Sequence, residues 1–181
     1  MSFGEAIKSV FSKYATFSGR ARRSEYWFFY LFYILVDLAL GCIPFLNSLT
    51  VVWWLAVLIP SLAVTVRRFH DIGKSGWNYL IILIPELILM GYLFYNIIHV
   101  ILEMIDAGFK FYNTVDSVRA FVDRLLTNSS FTSNLGVLLF IDLIVTILWL
   151  VWMTKDSQPG ENEWGPNPKE VPSESNSGMN Y

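Results

Sequence analysis

With 181 residues, 54% of them hydrophobic and only 15% charged, the chain has the length of one domain but not the composition of a water-soluble one. Its net charge of -2 gives no whole-chain argument for nucleic acid as a partner, so the basic residues matter only through where they cluster. One cysteine, Cys42, excludes an intrachain disulfide and a Cys-based metal site, and two histidines with no ligand-type neighbours suggest neither metal nor cofactor.

Residues 2–17 read as an amphipathic helix. Phe3, Ile7, Val10, Tyr14 and Phe17 recur at three-or-four spacing, with Lys8, Ser9, Ser12 and Lys13 on the other side. Ser2 and Glu5 form an S-x-x-E capping pattern and Gly19 marks the end. Segment 1–19 is therefore expected to lie on the membrane surface; the alternative is a small helix packed on the rest of the protein.

Four apolar runs follow, at about 26–46, 49–66, 78–102 and 135–153, each long enough to cross a ~30 Å hydrocarbon core at ~1.5 Å per residue. The first should stay attached, because Pro44 to Asn47 lead into more apolar sequence and not into a small-residue cleavage site. Residues 20–155 thus predict an all-α integral membrane four-helix bundle. Ten of the 13 Lys and Arg residues fall on the N-terminal segment, the 67–77 connector and the tail, against three in the 103–134 connector. That bias predicts both termini in the cytoplasm and the 103–134 connector outside.

Within that external connector Val115, Val118, Val122 and Leu125 predict a short amphipathic helix, with Thr114 as its N-cap, Asp116 in its first turn and Arg124 in its last. The tail, 156–181, turns to Pro, Gly, Asn, Ser and Glu, and 170–181 is expected to be disordered.

The polar stretch Arg67 to Trp77 joins two apolar runs and must sit where membrane meets water. Gly73-Lys74-Ser75 is no phosphate loop, since position 68 is Arg where that motif needs Gly and no strand precedes it. His70-Asp71 could serve as base and orienting carboxylate, but turn chemistry favours a structural pair in which Asp71 accepts backbone N–H bonds and Gly73 and Gly76 supply permissive dihedrals. Arg20, Arg22, Arg23, Arg67, Arg68 and Lys74 place six cations at the cytoplasmic interface, where positive-inside bias and a bound anionic headgroup are competing explanations. Asp37, Glu86 and Asp142 are acids inside apolar runs, all roughly 12 to 17 Å deep counted from the cytoplasmic helix ends. They read either as interhelical hydrogen-bonding glue or as a proton or cation site.

Phe17-Ser18-Gly19-Arg20-Ala21-Arg22-Arg23-Ser24-Glu25-Tyr26-Trp27, Pro60, Arg67-Arg68-Phe69-His70-Asp71 through Gly76-Trp77, and Pro159-Gly160, Asn162, Trp164-Gly165, Asn167-Pro168 together resemble the YhaH-type bacterial inner-membrane family, domain of unknown function 805. The likeness covers roughly residues 10–168. It implies a small multi-pass protein of the bacterial inner (cytoplasmic) membrane without an established biochemical role. Two features depart from the pattern: Glu163 stands where a basic or polar residue is expected, and the 103–134 connector is longer than the family's joint.

The resulting expectation is a non-enzymatic membrane component. Arg20, Arg22, Arg23, Arg67, Arg68, His70, Asp71, Lys74 and Trp77 would meet an anionic phospholipid or a protein partner, a second copy of the chain included. The rival is a small transporter or proton/cation pathway through Asp37, Glu86 and Asp142.

Overall fold

A computed structural model describes residues 1–43, 47–106 and 114–170. Among these the chain is all-α: α1 Phe3–Ser12, α2 Arg23–Cys42, α3 Thr50–Asp71, α4 Leu80–Asp106, α5 Thr114–Thr127 and α6 Ser129–Thr154, with 3-10 turns at Asn47–Leu49 and Gly76–Tyr79. Four helices, α2, α3, α4 extended by its 3-10 turn, and α6, are long and apolar enough to cross a membrane. The chain divides into two compact units, Met1–Tyr79 with Leu150–Tyr181, and Leu80–Trp149.

In the first unit α1 carries the expected capping box but stops at Ser12, short of the predicted Phe17; residues 13–22 continue as a loop. It packs on α2, burying Ala6 and Val10, with Phe3 edge-on to Phe28 and Phe11 edge-on to Phe29 and Phe32. α2 and α3 run side by side, and Tyr26, Tyr30 and Tyr33 stack in succession onto Trp53.

Pro60 lies inside α3 and has no N–H, which leaves the carbonyl four residues earlier without its helical donor. That carbonyl is Ala56, and the Tyr14 hydroxyl donates to it at 2.6 Å. A side chain from the loop after α1 thus completes the helix that the proline interrupts, a repair a lipid environment makes necessary.

α3 also runs five residues past the predicted span, so Arg67 to Asp71 form its last turn and not a connector. Gly73 follows at φ 75, in the left-handed region that favours glycine. Gly76 has a different reason: a Cβ there would lie 2.7 Å from Val66 Cγ1, so the returning chain touches α3.

In the second unit α6 starts at Ser129 instead of 135, because the Asn128 side chain caps it by accepting the Phe131 N–H at 3.0 Å. Tyr92 of α4 stacks on Phe131 and donates to its carbonyl. α5 has Asp116 and Arg124 in the expected turns, and Arg124 pairs with Glu103 of α4. The side chains of Thr114 and Val115 and the tail from 171 onward lie outside the described residues, and with them the expected N-cap and the expected disorder of 170–181.

Candidate functional site

The polar residues of the first unit converge on the end of α3. Asp71 is fully buried. One carboxylate oxygen accepts from Arg20 Nε at 3.1 Å, and the other from Arg68 Nη1 at 2.5 Å and Ser157 Oγ at 2.6 Å. Three segments far apart in sequence thus meet on one carboxylate. The expectation that Asp71 accepts backbone N–H groups is corrected: α3 continues through it, and side chains supply its donors.

Each arginine also reaches main-chain carbonyls. Arg20 donates to those of Gln158, Gly160 and Gly165. Arg68 donates to Met153 and Lys155, Trp27 Nε1 to Met153 and Arg23 to Thr154. The last-turn carbonyls of α6, which no helix can satisfy internally, are thereby closed by cationic and indole donors that also oppose the negative end of its dipole.

Beyond α6 the tail folds back as a clasp. The Gln158 N–H donates to the Asp71 carbonyl at 2.8 Å, Asn162 Nδ2 donates to the His70 carbonyl at 2.9 Å, and a tight turn pairs Asn162 with Gly165. Trp164 stacks flat on the His70 ring at 4.6 Å, while His70 Nδ1 donates to the Gly19 carbonyl. The predicted polar tail is ordered through Glu170, whose carboxylate accepts from the Gly160 N–H and from Asn167.

Arg67 makes a second buried pair, donating through Nη1 to Glu25 at 2.8 Å, and Ser9 of α1 donates to the same carboxylate oxygen. Its Nε and Nη2 have no acceptor among the described residues.

The structure therefore brings together Arg20, Arg67, Arg68, His70 and Asp71, but inside the protein and already paired. Outside this core lie Arg23, half-exposed beside Asp156, Lys74 over the Trp152 ring at 4.8 Å, the partly exposed Arg22, and Trp77, which is 78% exposed. Lys155, not singled out in the sequence, is exposed beside them. Lys169 beside Asp156, and then the Ser157 N–H, hold the Asp156 carboxyl below its usual range.

The three acids fall in different units. Asp37 sits five residues from the end of α2 and accepts from Trp54 Nε1 at 2.8 Å. Glu86 and Asp142 belong to the second unit, where the buried Asp142 Oδ1 has no hydrogen-bond partner among the described residues. Glu25, Ser157 and the carbonyls of Gln158, Gly160 and Gly165 complete the core without having been singled out. Glu25 and the tail glycines do lie inside the motif segments, which was the available signal.

Inner membrane protein YhaI of Escherichia coli K12 is 39% identical over 82 residues, covering 42% of this chain and 70% of that protein. Inner membrane protein YhaH of the same strain is 38% identical over 85 residues, with the same coverage. No solved structure matches. The family model described as protein of unknown function, DUF805, matches residues 14–166, a stretch holding every arm of the Asp71 core, and the chain belongs to that family of inner-membrane relatives.

Proposed function

We propose that the protein is a non-enzymatic membrane component whose cytoplasmic rim binds phospholipid headgroups or a protein partner. The observation that carries this reading is the closure of Arg20, Arg68 and Asp71 around one another. These groups are committed to holding α3, α6 and the tail together, and the chemistry left accessible is a rim of Arg22, Arg23, Lys74, Lys155 and Trp77. Cations beside an exposed indole suit the headgroup layer of an anionic leaflet. In this reading both termini face the cytoplasm, as the lysine and arginine bias favours.

The test is native mass spectrometry from lipid nanodiscs, comparing the parent with Lys74→Gln/Lys155→Gln and with Trp77→Ala. Retained anionic lipid or partner protein, lost in both variants, is the expected result. A parent carrying nothing specific would refute the reading. A C-terminal alkaline phosphatase fusion should be inactive; an active one would reverse the topology.

A second reading, a small proton or cation pathway using Glu86 and Asp142, is favoured by the buried Asp142 Oδ1, which has no hydrogen-bond partner among the described residues and sits on an apolar helix long enough to cross a membrane. Proton flux in liposomes that is unchanged by Glu86→Gln/Asp142→Asn would remove it.

A further inference from the structure

We propose that the end of α4 together with α5 is a self-association surface: a second copy of the chain in the same bilayer covers it, and the two copies close an up-and-down four-helix bundle there. The inference concerns the second unit alone and does not rest on headgroup binding at the rim. It starts from the direction of α5. Arg124 of α5 reaches Glu103 of α4, and Phe131, four residues past the end of α5, stacks on Tyr92. α5 therefore runs back along the last turns of α4, antiparallel to it, and Val100 and Met104 of α4 and Ser117 of α5 are buried.

Glu103 and Arg124 meet on one flank of this buried seam. At about 100° per residue, Ile98, Ile101 and Ile105 of α4 fall on the other flank, and so do Val118, Val122 and Leu126 of α5. All six are exposed. The helix pair thus shows an aliphatic face on one side and keeps His99, Glu103 and Arg124 on the opposite one.

Lipid cannot cover this face along its whole length. From Gly76, in the polar turn after α3, to Asp106 there are 31 residues, about 48 Å at ~2 Å per residue in the 3-10 turn and ~1.5 Å in α4. The hydrocarbon core takes up ~30 Å, and even a tilt of ~40° leaves about 37 Å of helix along the membrane normal. Asn96, His99, Glu103 and Asp106 recur at three-or-four spacing over these last turns, a polar stripe that suits a helix passing into water. The end of α4, with α5 beside it, therefore leaves the acyl layer with its aliphatic face uncovered, an arrangement that calls for a protein partner. A second copy supplies the same face at the same height. Rotated about an axis along the membrane normal, it sets α5 of each copy against α4 of the other, so every neighbouring pair of helices is antiparallel and the aliphatic rows meet in the centre.

The experiment uses the full chain in liposomes at increasing lipid dilution, with self-association read by energy transfer between labelled copies. Val118→Glu/Val122→Glu changes side chains that are exposed within one copy, and it should weaken association by roughly tenfold or more while leaving the helical content unchanged. In a Cys42→Ala background, Ile101→Cys on one tagged copy and Val122→Cys on another should form a disulfide between copies faster than either variant does with itself. A nitroxide on Val122→Cys should be shielded from oxygen and from a water-soluble relaxing agent alike. A monomeric parent chain, or association unchanged by the two glutamates, would overturn the proposal. A label relaxed chiefly by oxygen would place the face on lipid and overturn it too. Should the glutamate variant not fold, the disulfide pairing decides.

Discussion

Asp71→Asn should be among the most damaging single-atom changes available in this chain. Asparagine keeps the shape of the side chain but removes the charge that balances two buried guanidiniums, and it turns one acceptor oxygen into a donor. That amide group would face Arg20 Nε on one side, or Arg68 Nη1 and Ser157 Oγ on the other. Both arginine side chains are almost completely buried, so water cannot restore the lost bonds. Breaking a buried pair by removing one partner costs about 3–5 kcal/mol. For a chain of this size that corresponds to a drop of roughly 6–20 °C in melting temperature. The assay is tryptophan fluorescence during heating in nanodiscs, combined with limited proteolysis after Lys155, because the tail hangs on Arg20 and on the Asp71 carbonyl. Arg20→Gln combined with Asp71→Asn should cost clearly less than the sum of the two, since the second change removes a partner already lost. A drop under roughly 3 °C, or full additivity, would refute the account of Asp71 as the common anchor.

Tyr14→Phe leaves the Ala56 carbonyl without a donor and should cost about 1–3 kcal/mol; in a Pro60→Ala background, which restores the helical N–H, chemical or thermal unfolding should register a much smaller loss. Gly76→Ala drives a methyl group into Val66 and should destabilise by about 1–3 kcal/mol, a cost that Val66→Ala should largely relieve in the same melting assay. Asp156 has its carboxyl pKa lowered in the folded state, so its contribution to tail docking is present above its unfolded value and lost as pH falls through the folded one. The hydrogen-exchange protection of residues 155–170, taken relative to the intrinsic exchange rate at each pH, should therefore be steady from about pH 5 to 8 and fall only below about pH 4; a loss of protection near neutrality would contradict this assignment.

Much of the fold was legible because bilayer thickness imposes run lengths that composition cannot hide: all four spans, the capping box of α1 and the charge pattern of α5 were readable. Boundaries shifted where a polar residue had an unseen tertiary partner. Arg67 to Asp71 read as a loop because they are charged, yet they complete α3 because Glu25, Arg20 and the end of α6 satisfy them. The tail was less legible. Its composition signals disorder, while its anchors are the carbonyls of Gln158, Gly160 and Gly165, groups that every residue possesses and no sequence pattern distinguishes. Asp37, grouped in sequence with Glu86 and Asp142, sits five residues before the last residue of α2, against the Trp54 indole, a partner that no spacing rule reveals.

The closure of α6 bears on how the chain is made. Its last-turn carbonyls are met by Arg23, Trp27 and Arg68, all of which leave the ribosome well before Met153 does. Until that final turn arrives, the earlier helices carry a buried aspartate held by guanidiniums whose other donors are unmatched. A segment synthesised later is thus the one that renders the earlier ones complete. A chain interrupted before Lys155 would keep its apolar spans and still present uncapped arginines at the membrane surface, a difference that membrane quality control could read.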